Sequence, residues 1–343
     1  MSTVQVAVVG YGVIGRRVAD AVQAQSDMDV VGVAAPLAGH TLPAAREQGF
    51  AVFTSDIAGQ SMPGIAQRES QGDLAALVEI SDVVLDCTPS GVPPTHADVT
   101  GRAVTIVQGG ETAASAEVSF NAFANYAEAA GKRRVRVVSC STTGTTRFLY
   151  ALDRGFGVEQ AFVGLVRRAS DPGKRSRIPI NAVVPGMGQS HHGPDARTVL
   201  PHLSVYTVAL LTPTTLSHVL NFQVDLSTSP ARDDVLAALD DLPRITVGTG
   251  LASTVELASD AARQGRRRRD RPEIYVWEES VRVVDGTVYA SIAVHMESIT
   301  VPETVDCVRA ALEIESDPWA SMRKTDRALG IEKRDACYRR EPR

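Results

Sequence analysis

Hydrophobic positions along this chain switch between two periods, and the switches mark its elements. Val4-Gln5-Val6-Ala7-Val8-Val9 is a nearly unbroken apolar run, the pattern of a strand buried on both faces. A glycine-rich segment follows, and Val18, Ala19, Ala21 and Val22 then recur at helical spacing before a second apolar run over residues 30–35. Short valine-rich runs return at 83–86, 103–107 and 135–138, which predicts an open α/β sheet of parallel strands. Between the last two, Phe120, Phe123, Tyr126 and Ala129 are spaced as a helix over residues 119–132.

The pattern changes after residue 158. Runs at 161–166, 203–210, 222–226, 274–277 and 288–294 are separated by polar loops, the signature of a second, mostly antiparallel sheet. Pro302-Glu303 opens a helix through Val305, Val308, Leu312 and Ile314, and a last helix near 320–329 returns the chain to its first part. With 343 residues, one large domain or two ordinary ones are expected.

Composition narrows the function classes. Hydrophobic residues at 44% and charged residues at 22% are globular values. Lys and Arg number 35 against 40 Asp and Glu, so a broad surface for nucleic-acid phosphates is not expected. Arg266-Arg267-Arg268-Arg269 is a short run followed by Asp270 and Glu273, and reads as a solvated loop or interface. No apolar run reaches membrane-spanning length and the N-terminus lacks a basic leader, so the expectation is a soluble cytoplasmic protein with no membrane partner. Cys87, Cys140, Cys307 and Cys337 form no CxxC pair, which argues against a zinc or dithiol site.

Gly10-Tyr11-Gly12-Val13-Ile14-Gly15 stands between strand and helix, the order a dinucleotide-binding turn requires. Gly10 permits the tight turn, Gly12 lets the backbone approach a pyrophosphate, and Gly15 lets helix pack on strand. The second strand ends in Ala34-Ala35-Pro36-Leu37, with no carboxylate to hold an adenosine ribose or repel a 2′-phosphate, so NADP, or NADP and NAD together, are favoured. Arg46 is the nearest cation. The strand ends at Cys87-Thr88-Pro89-Ser90-Gly91 and Gln108-Gly109-Gly110-Glu111 are expected to border the nicotinamide side of the cleft; plain glycine turns are the competing reading.

Cys140 ends the run at 135–138 and is followed by hydroxyls and a glycine, where a helix can begin. A thiol at a helix N-terminus meets oriented amides and a positive dipole end, which favours its thiolate. A buried, unreactive cysteine is the bland alternative. The pair His191-His192 suits metal, phosphate or mere solvent, and Arg167-Arg168 at a strand end suits phosphate or an ordinary surface.

Taken together, the GYGVIGRRVADAV block at 10–22, Gln108-Gly109-Gly110-Glu111, Val138-Ser139-Cys140, Thr142-Thr143-Gly144, Ser190-His191-His192-Gly193-Pro194-Asp195, Pro213-Thr214-Thr215-Leu216 and Val301-Pro302-Glu303 resemble the archaeal-type (type II) glyceraldehyde-3-phosphate dehydrogenases from residue 4 to about 332. The resemblance implies an NADP- or NAD-dependent enzyme of glycolysis or gluconeogenesis, usually a homotetramer. Its domains would be a Rossmann-like doubly wound parallel sheet over 1–139, completed by a helix at about 303–335, and an α+β catalytic domain over 140–302. It makes Cys140 the nucleophile, with Ser139, Ser141, His191 and His192 around the substrate and Val13, Ile14, Gly109, Gly110 and Arg168 at positions that meet the cofactor. Cys140 would attack the aldehyde of glyceraldehyde 3-phosphate, hydride transfer would leave a thioester, and inorganic phosphate would release an acyl phosphate. His218 is the expected base.

The chain departs from that family at three places in the expected site. It has Ser141 where an Asn is usual, Leu220 where a second histidine is usual, and Met296 for Gln in the His-Gln-Glu-Ser motif. These changes keep three alternatives open: another aldehyde, a non-phosphorylating reaction, or a nucleotide-binding protein without catalysis.

Overall fold

The computed structural model describes residues 3–36, 41–55, 70–89, 102–108, 110–171, 175–331 and 333. The chain divides into two compact units, one of Met1–Ala122, Tyr126–Val137 and Val301–Gly330, the other of Phe123–Asn125, Val138–Thr300 and Ile331–Arg343.

The first unit runs β1 (Val4–Val9), α1 (Val13–Gln23), β2 (Met28–Ala35), α2 (Thr41–Glu47), β3 (Val52–Thr54), α3 (Leu74–Glu79), β4 (Val83–Asp86), β5 (Val104–Val107), β6 (Val118–Phe120) and β7 (Arg134–Val137). Its sheet has the order β3-β2-β1-β4-β5-β7-β6 with every pairing parallel. The order reverses between β1 and β4, and in an open α/β sheet that reversal leaves a crevice beyond the strand ends. Val6, Val8 and Val9 are fully buried, and α1 covers the sheet with Gly15, Val18, Ala19 and Val22, one face at helical spacing.

The second unit begins with α4 (Cys140–Phe156) and β8 (Val158–Arg168), then β9 (Val184–Pro185), α5 (His192–Ala196), β10 (Ser204–Thr212) and β11 (His218–Leu226). It continues through α6 (Arg232–Asp240), β12 (Ile245–Gly248), α7 (Thr254–Arg263), β13 (Ile274–Trp277), β14 (Arg282–Val284) and β15 (Thr287–Val294). The order is β12-β13-β15-β11-β8-β10-β9, with β14 on β15. Five of its seven pairings are antiparallel; β8–β10 and β12–β13 are parallel, so the sheet is mixed.

Helix α4 lies close on this sheet. A Cβ at Gly144 would fall 2.5 Å from Val294 Cγ2, so only glycine allows the approach. Phe148 packs on Phe222 with ring centroids 4.3 Å apart, and Leu149 and Leu152 are fully buried, each contributing about 2 kcal/mol of apolar transfer. The same face buries Arg147, whose guanidinium donates to Pro272 O at 2.6 Å and Ile299 O at 3.0 Å. Gly157, at φ 71°, lets the chain leave the helix and enter β8.

Helices α8 (Thr300–Ala311) and α9 (Pro318–Leu329) pack largely within the first unit. Arg309, buried on α8, reaches Asp27 through two hydrogen bonds of 2.8 Å and Thr325 Oγ1 through one of 2.6 Å. The Glu303 carboxylate accepts the Ala122 N–H at 2.7 Å.

The helix expected over residues 119–132 is not formed. Ser119 and Phe120 belong to β6, which pairs with β7, and only a turn of 3-10 helix covers Tyr126–Ala129. Phe120, Phe123, Tyr126 and Ala129 are buried all the same, because successive turns bring them to one side without a helix. Buried Asn121 and Asn125 break the run, since such side chains compete for backbone hydrogen bonds.

Candidate active site

The glycine turn after β1 has the geometry of a phosphate cradle. Gly10 sits at φ 85°, and a Cβ there would meet the Thr88 nitrogen at 2.9 Å. At Gly15 a Cβ would lie 1.9 Å from Gly10 O, so helix and strand touch at a point no side chain can occupy. Gly12 differs: among the described residues a Cβ there would have nothing within 4 Å. It is the N-cap of α1, whose first turn, carrying Val13 and Ile14, has N–H groups without helical partners and no acidic residue of its own. Gly110, at φ 97°, follows β5, while Gly109 lies outside the described residues. The tip of β2 is Ala34 and Ala35, both buried, with no carboxylate.

Cys140 is the first residue of α4, half-buried, with Ser139 in extended geometry as N-cap. Burial pushes its thiol above the ordinary range, while the Arg167 guanidinium, the Ser141 N–H and hydroxyl, and Arg168 pull the other way. Burial outweighs these charges and hydrogen bonds, so the resting thiol is held above its ordinary range. Ser141 is fully buried. Ser139 Oγ and Thr142 Oγ1 lie 2.9 Å apart, and Thr142 Oγ1 donates to Asp195 Oδ2 at 3.0 Å, which ties the start of α4 to α5.

His191 and His192 open α5, their rings stacked at 3.9 Å. His191 is exposed; His192 is buried, its Nδ1 3.1 Å from Ser190 Oγ. Burial, His191, Arg167 and His218 pull its imidazole pKa down to about 2. His218 begins β11 and is also buried, and its Nδ1 accepts the Arg168 N–H at 3.0 Å. Burial and the cations Arg167, Arg168 and Arg177 hold it well below the usual imidazole range. Its Nε2 is buried without a hydrogen-bond partner among the described residues.

The two arginines at the end of β8 have different surroundings. Arg168 is 1% exposed and committed: its guanidinium meets Glu297 at 2.9 Å, Thr215 O at 2.9 Å and Asp171 at 3.1 Å. Its Nε is buried without a hydrogen-bond partner among the described residues. Arg167 Nε is buried without a hydrogen-bond partner among the described residues, and the cation is held near Cys140 and Arg177. A half-buried cation without a carboxylate partner among the described residues is suited to an anionic ligand.

Comparison with known proteins gives the family of the chain. The pattern described as "Glyceraldehyde 3-phosphate dehydrogenase, C-terminal domain" matches residues 139–264, starting at the N-cap of α4. Glyceraldehyde-3-phosphate dehydrogenase of Methanococcoides burtonii is 42% identical over 338 residues, covering 96% of this chain and 100% of the relative. The protein of that name from Methanothermobacter thermautotrophicus is 42% identical over 335 residues (96% and 99%), and that of Methanopyrus kandleri 43% over 345 residues (96% and 98%). The chain belongs to the glyceraldehyde-3-phosphate dehydrogenase family.

As a glyceraldehyde-3-phosphate dehydrogenase family member the chain needs a nicotinamide cofactor, and the glycine turn fits one: Gly12 leaves room, Gly10 and Gly15 fix the close approach, and α1 supplies amide donors. Among the described residues no group of His, Cys, Asp and Glu could hold a metal, and no helix is long and apolar enough to cross a membrane. Cys140, His192, His218 and Arg167 share one electrostatic neighbourhood, whereas His191 is exposed and Arg168 is committed to carboxylates. Sequence reasoning missed Asp195 as partner of Thr142, Arg177 as a third cation and Glu297 as partner of Arg168.

Proposed function

We propose that this chain catalyses the NAD(P)-dependent, phosphorylating oxidation of glyceraldehyde 3-phosphate, with Cys140 as nucleophile. The observation that carries this reading is the half-buried thiol at the start of α4 with Arg167 in its field, the same cation that acts on His192 and His218. Family membership supports the substrate and the reaction.

Arg167, with Arg177 behind it, supplies the charge for a phosphate group of the substrate or for inorganic phosphate. Bringing the aldehyde beside the thiol lets Cys140 Sγ bond to the carbonyl carbon, giving a thiohemiacetal. The nicotinamide, when bound, supplies hydride-acceptor chemistry for the aldehyde hydrogen. The thioester left on Cys140 keeps the oxidation energy, and attack by phosphate releases it as an acyl phosphate. Ser139 borders the substrate, while Ser141, buried beside the thiol, acts on the sulfur. Gly10, Gly12, Val13, Ile14, Gly15, Gly109 and Gly110 would hold the dinucleotide.

The bare tip of β2 supports NADP with NAD tolerated, since nothing there repels a 2′-phosphate or anchors a ribose diol. A homotetramer is supported by the outer face of the second sheet. Phe162 and Tyr206 stack there at 6.2 Å, Tyr289 and Val284 lie exposed on neighbouring strands, and Ile180, Val183 and Met187 are exposed beside β9. The described cysteines are all free, which suits a reducing cytoplasm and a glycolytic or gluconeogenic role.

A steady-state assay with glyceraldehyde 3-phosphate and each nicotinamide cofactor, with and without phosphate, tests the proposal. Turnover should require phosphate and vanish in Cys140→Ser. Turnover indifferent to phosphate, or none beside tight dinucleotide binding, would overturn it.

A further inference from the structure

Three arginines follow the glycine turn or the tip of β2 in sequence, and their surroundings differ. Arg46 occupies the last turn of α2, where the negative end of the helix dipole favours it. Arg17 folds along its own helix and donates to Val13 O at 2.5 Å. Arg16 has neither arrangement.

Arg16 is the fourth residue of α1, and a helical side chain leans toward the N-terminus of its helix, which here is the turn itself. Its Nε–H donates to Tyr11 O at 3.3 Å, and its Cζ lies 5.5 Å from the centre of the Tyr11 ring. Tyr11 stands between Gly10 and Gly12, is 1% exposed, and has its ring edge-on to that of Phe50 at 5.9 Å. A buried, braced tyrosine thus holds the half-buried guanidinium back over the glycine turn. Those contacts engage Nε and the flat face of the group. Among the described residues, Nη1 and Nη2 make no hydrogen bond and no ion pair.

A cation at this end of a helix opposes the macrodipole, and the first turn of α1 holds no acid that would offset it. Gly12 leaves space beside the same turn, and the Gly10 N–H donates to Ala34 O at 2.8 Å, which joins the turn to the tip of β2.

We infer that Arg16 binds a phosphate group of the dinucleotide through Nη1 and Nη2. This rests on the nicotinamide-dependent reading above and adds a residue to it. Phosphate oxygens match the planar fork two at a time, and they bring the negative charge that the start of α1 lacks. Two groups of the cofactor share that chemistry: the pyrophosphate, which a fold of this kind sets on the N-terminus of its first helix, and the 2′-phosphate of NADP, which it sets near the tip of the second strand. A role confined to bracing Tyr11 would use Nε and the ring face alone and would leave affinity untouched.

Isothermal titration calorimetry of the full-length protein with NADP, NAD and adenosine 2′,5′-bisphosphate tests the inference without turnover. Arg16→Gln should weaken NADP binding about tenfold or more, as the loss of a hydrogen bond between charged groups does. Arg16→Lys keeps the charge without the fork and should recover part of that loss. A loss shared by NAD and NADP assigns Arg16 to the pyrophosphate; a loss confined to NADP and the bisphosphate assigns it to the 2′-phosphate. Unchanged affinity of Arg16→Gln for both dinucleotides overturns the inference while the cofactor reading stands, and wild-type protein that binds neither dinucleotide overturns both. Phenylglyoxal labelling of the wild-type protein, read by peptide mass spectrometry, needs no folded variant. Arg16 should be labelled in the free protein and protected by saturating NADP but not by glyceraldehyde 3-phosphate. Equal labelling with and without NADP would overturn the inference.

Discussion

The Arg168 guanidinium and the Glu297 carboxylate meet at 2.9 Å with both side chains buried. The pair fixes the end of β8 and, through the Arg168 N–H, the ring of His218. Removing the carboxylate leaves a buried cation with only Asp171 and a carbonyl for partners. Glu297→Ala should therefore lower stability by about 3 kcal/mol. Chemical denaturation checks this, and an effect near zero would show that the pair is not buried as described.

The glycines of the first turn should separate binding from folding. Gly12→Ala adds a methyl group in open space, so the fold should be kept while dinucleotide affinity falls about tenfold or more. Gly15→Ala meets Gly10 O at 1.9 Å and should cost more than about 2 kcal/mol of stability. Melting temperature and cofactor titration, run on both variants, distinguish the two effects.

Arg167 lowers the pKa of a thiol that burial raises. In Arg167→Gln the reaction of Cys140 with iodoacetamide should shift to higher pH, and a shift of one unit slows alkylation at neutral pH about tenfold. The KM for glyceraldehyde 3-phosphate should rise in the same variant. An unchanged alkylation profile would remove Arg167 from the thiol's field.

His192 and His218 make the protein sensitive to acid. Both pKa values lie below the ordinary value in the folded state, so below about pH 6.5 the unfolded chain takes up protons that the folded chain refuses. Stability then falls with falling pH, by about 1.4 kcal/mol per unit for each such histidine, down to the folded pKa of about 2 for His192. His192→Asn should remove one share of that slope, measured as denaturation midpoints between weakly acid and neutral pH.

What the sequence made legible was local. Gly10, Gly12 and Gly15 declare their turn because all three constraints lie within one strand–turn–helix unit, and Cys140 declares the start of α4 because an apolar run stops there. Spacing alone misled at residues 119–132, where buried Phe120 and Tyr126 follow a helical interval that buried asparagines do not let the backbone adopt. Arg168 looked as free as Arg167, because its partner Glu297 arrives from the far end of β15. The N–H that His218 Nδ1 accepts, from Arg168, belongs to a neighbouring strand and could not be read from the sequence around it. Leu220, standing where relatives tend to carry a second histidine, is fully buried between Leu165 and Ile292, in a core position.

The central claim is that the Cys140 sulfur carries the acyl group. Acid quenching of a single turnover with glyceraldehyde 3-phosphate and cofactor but no phosphate, followed by peptide mass spectrometry, tests it most directly. The account predicts an acyl adduct on the peptide that bears Cys140, absent in Cys140→Ser. An adduct on another residue, or undiminished turnover by Cys140→Ser, would contradict it.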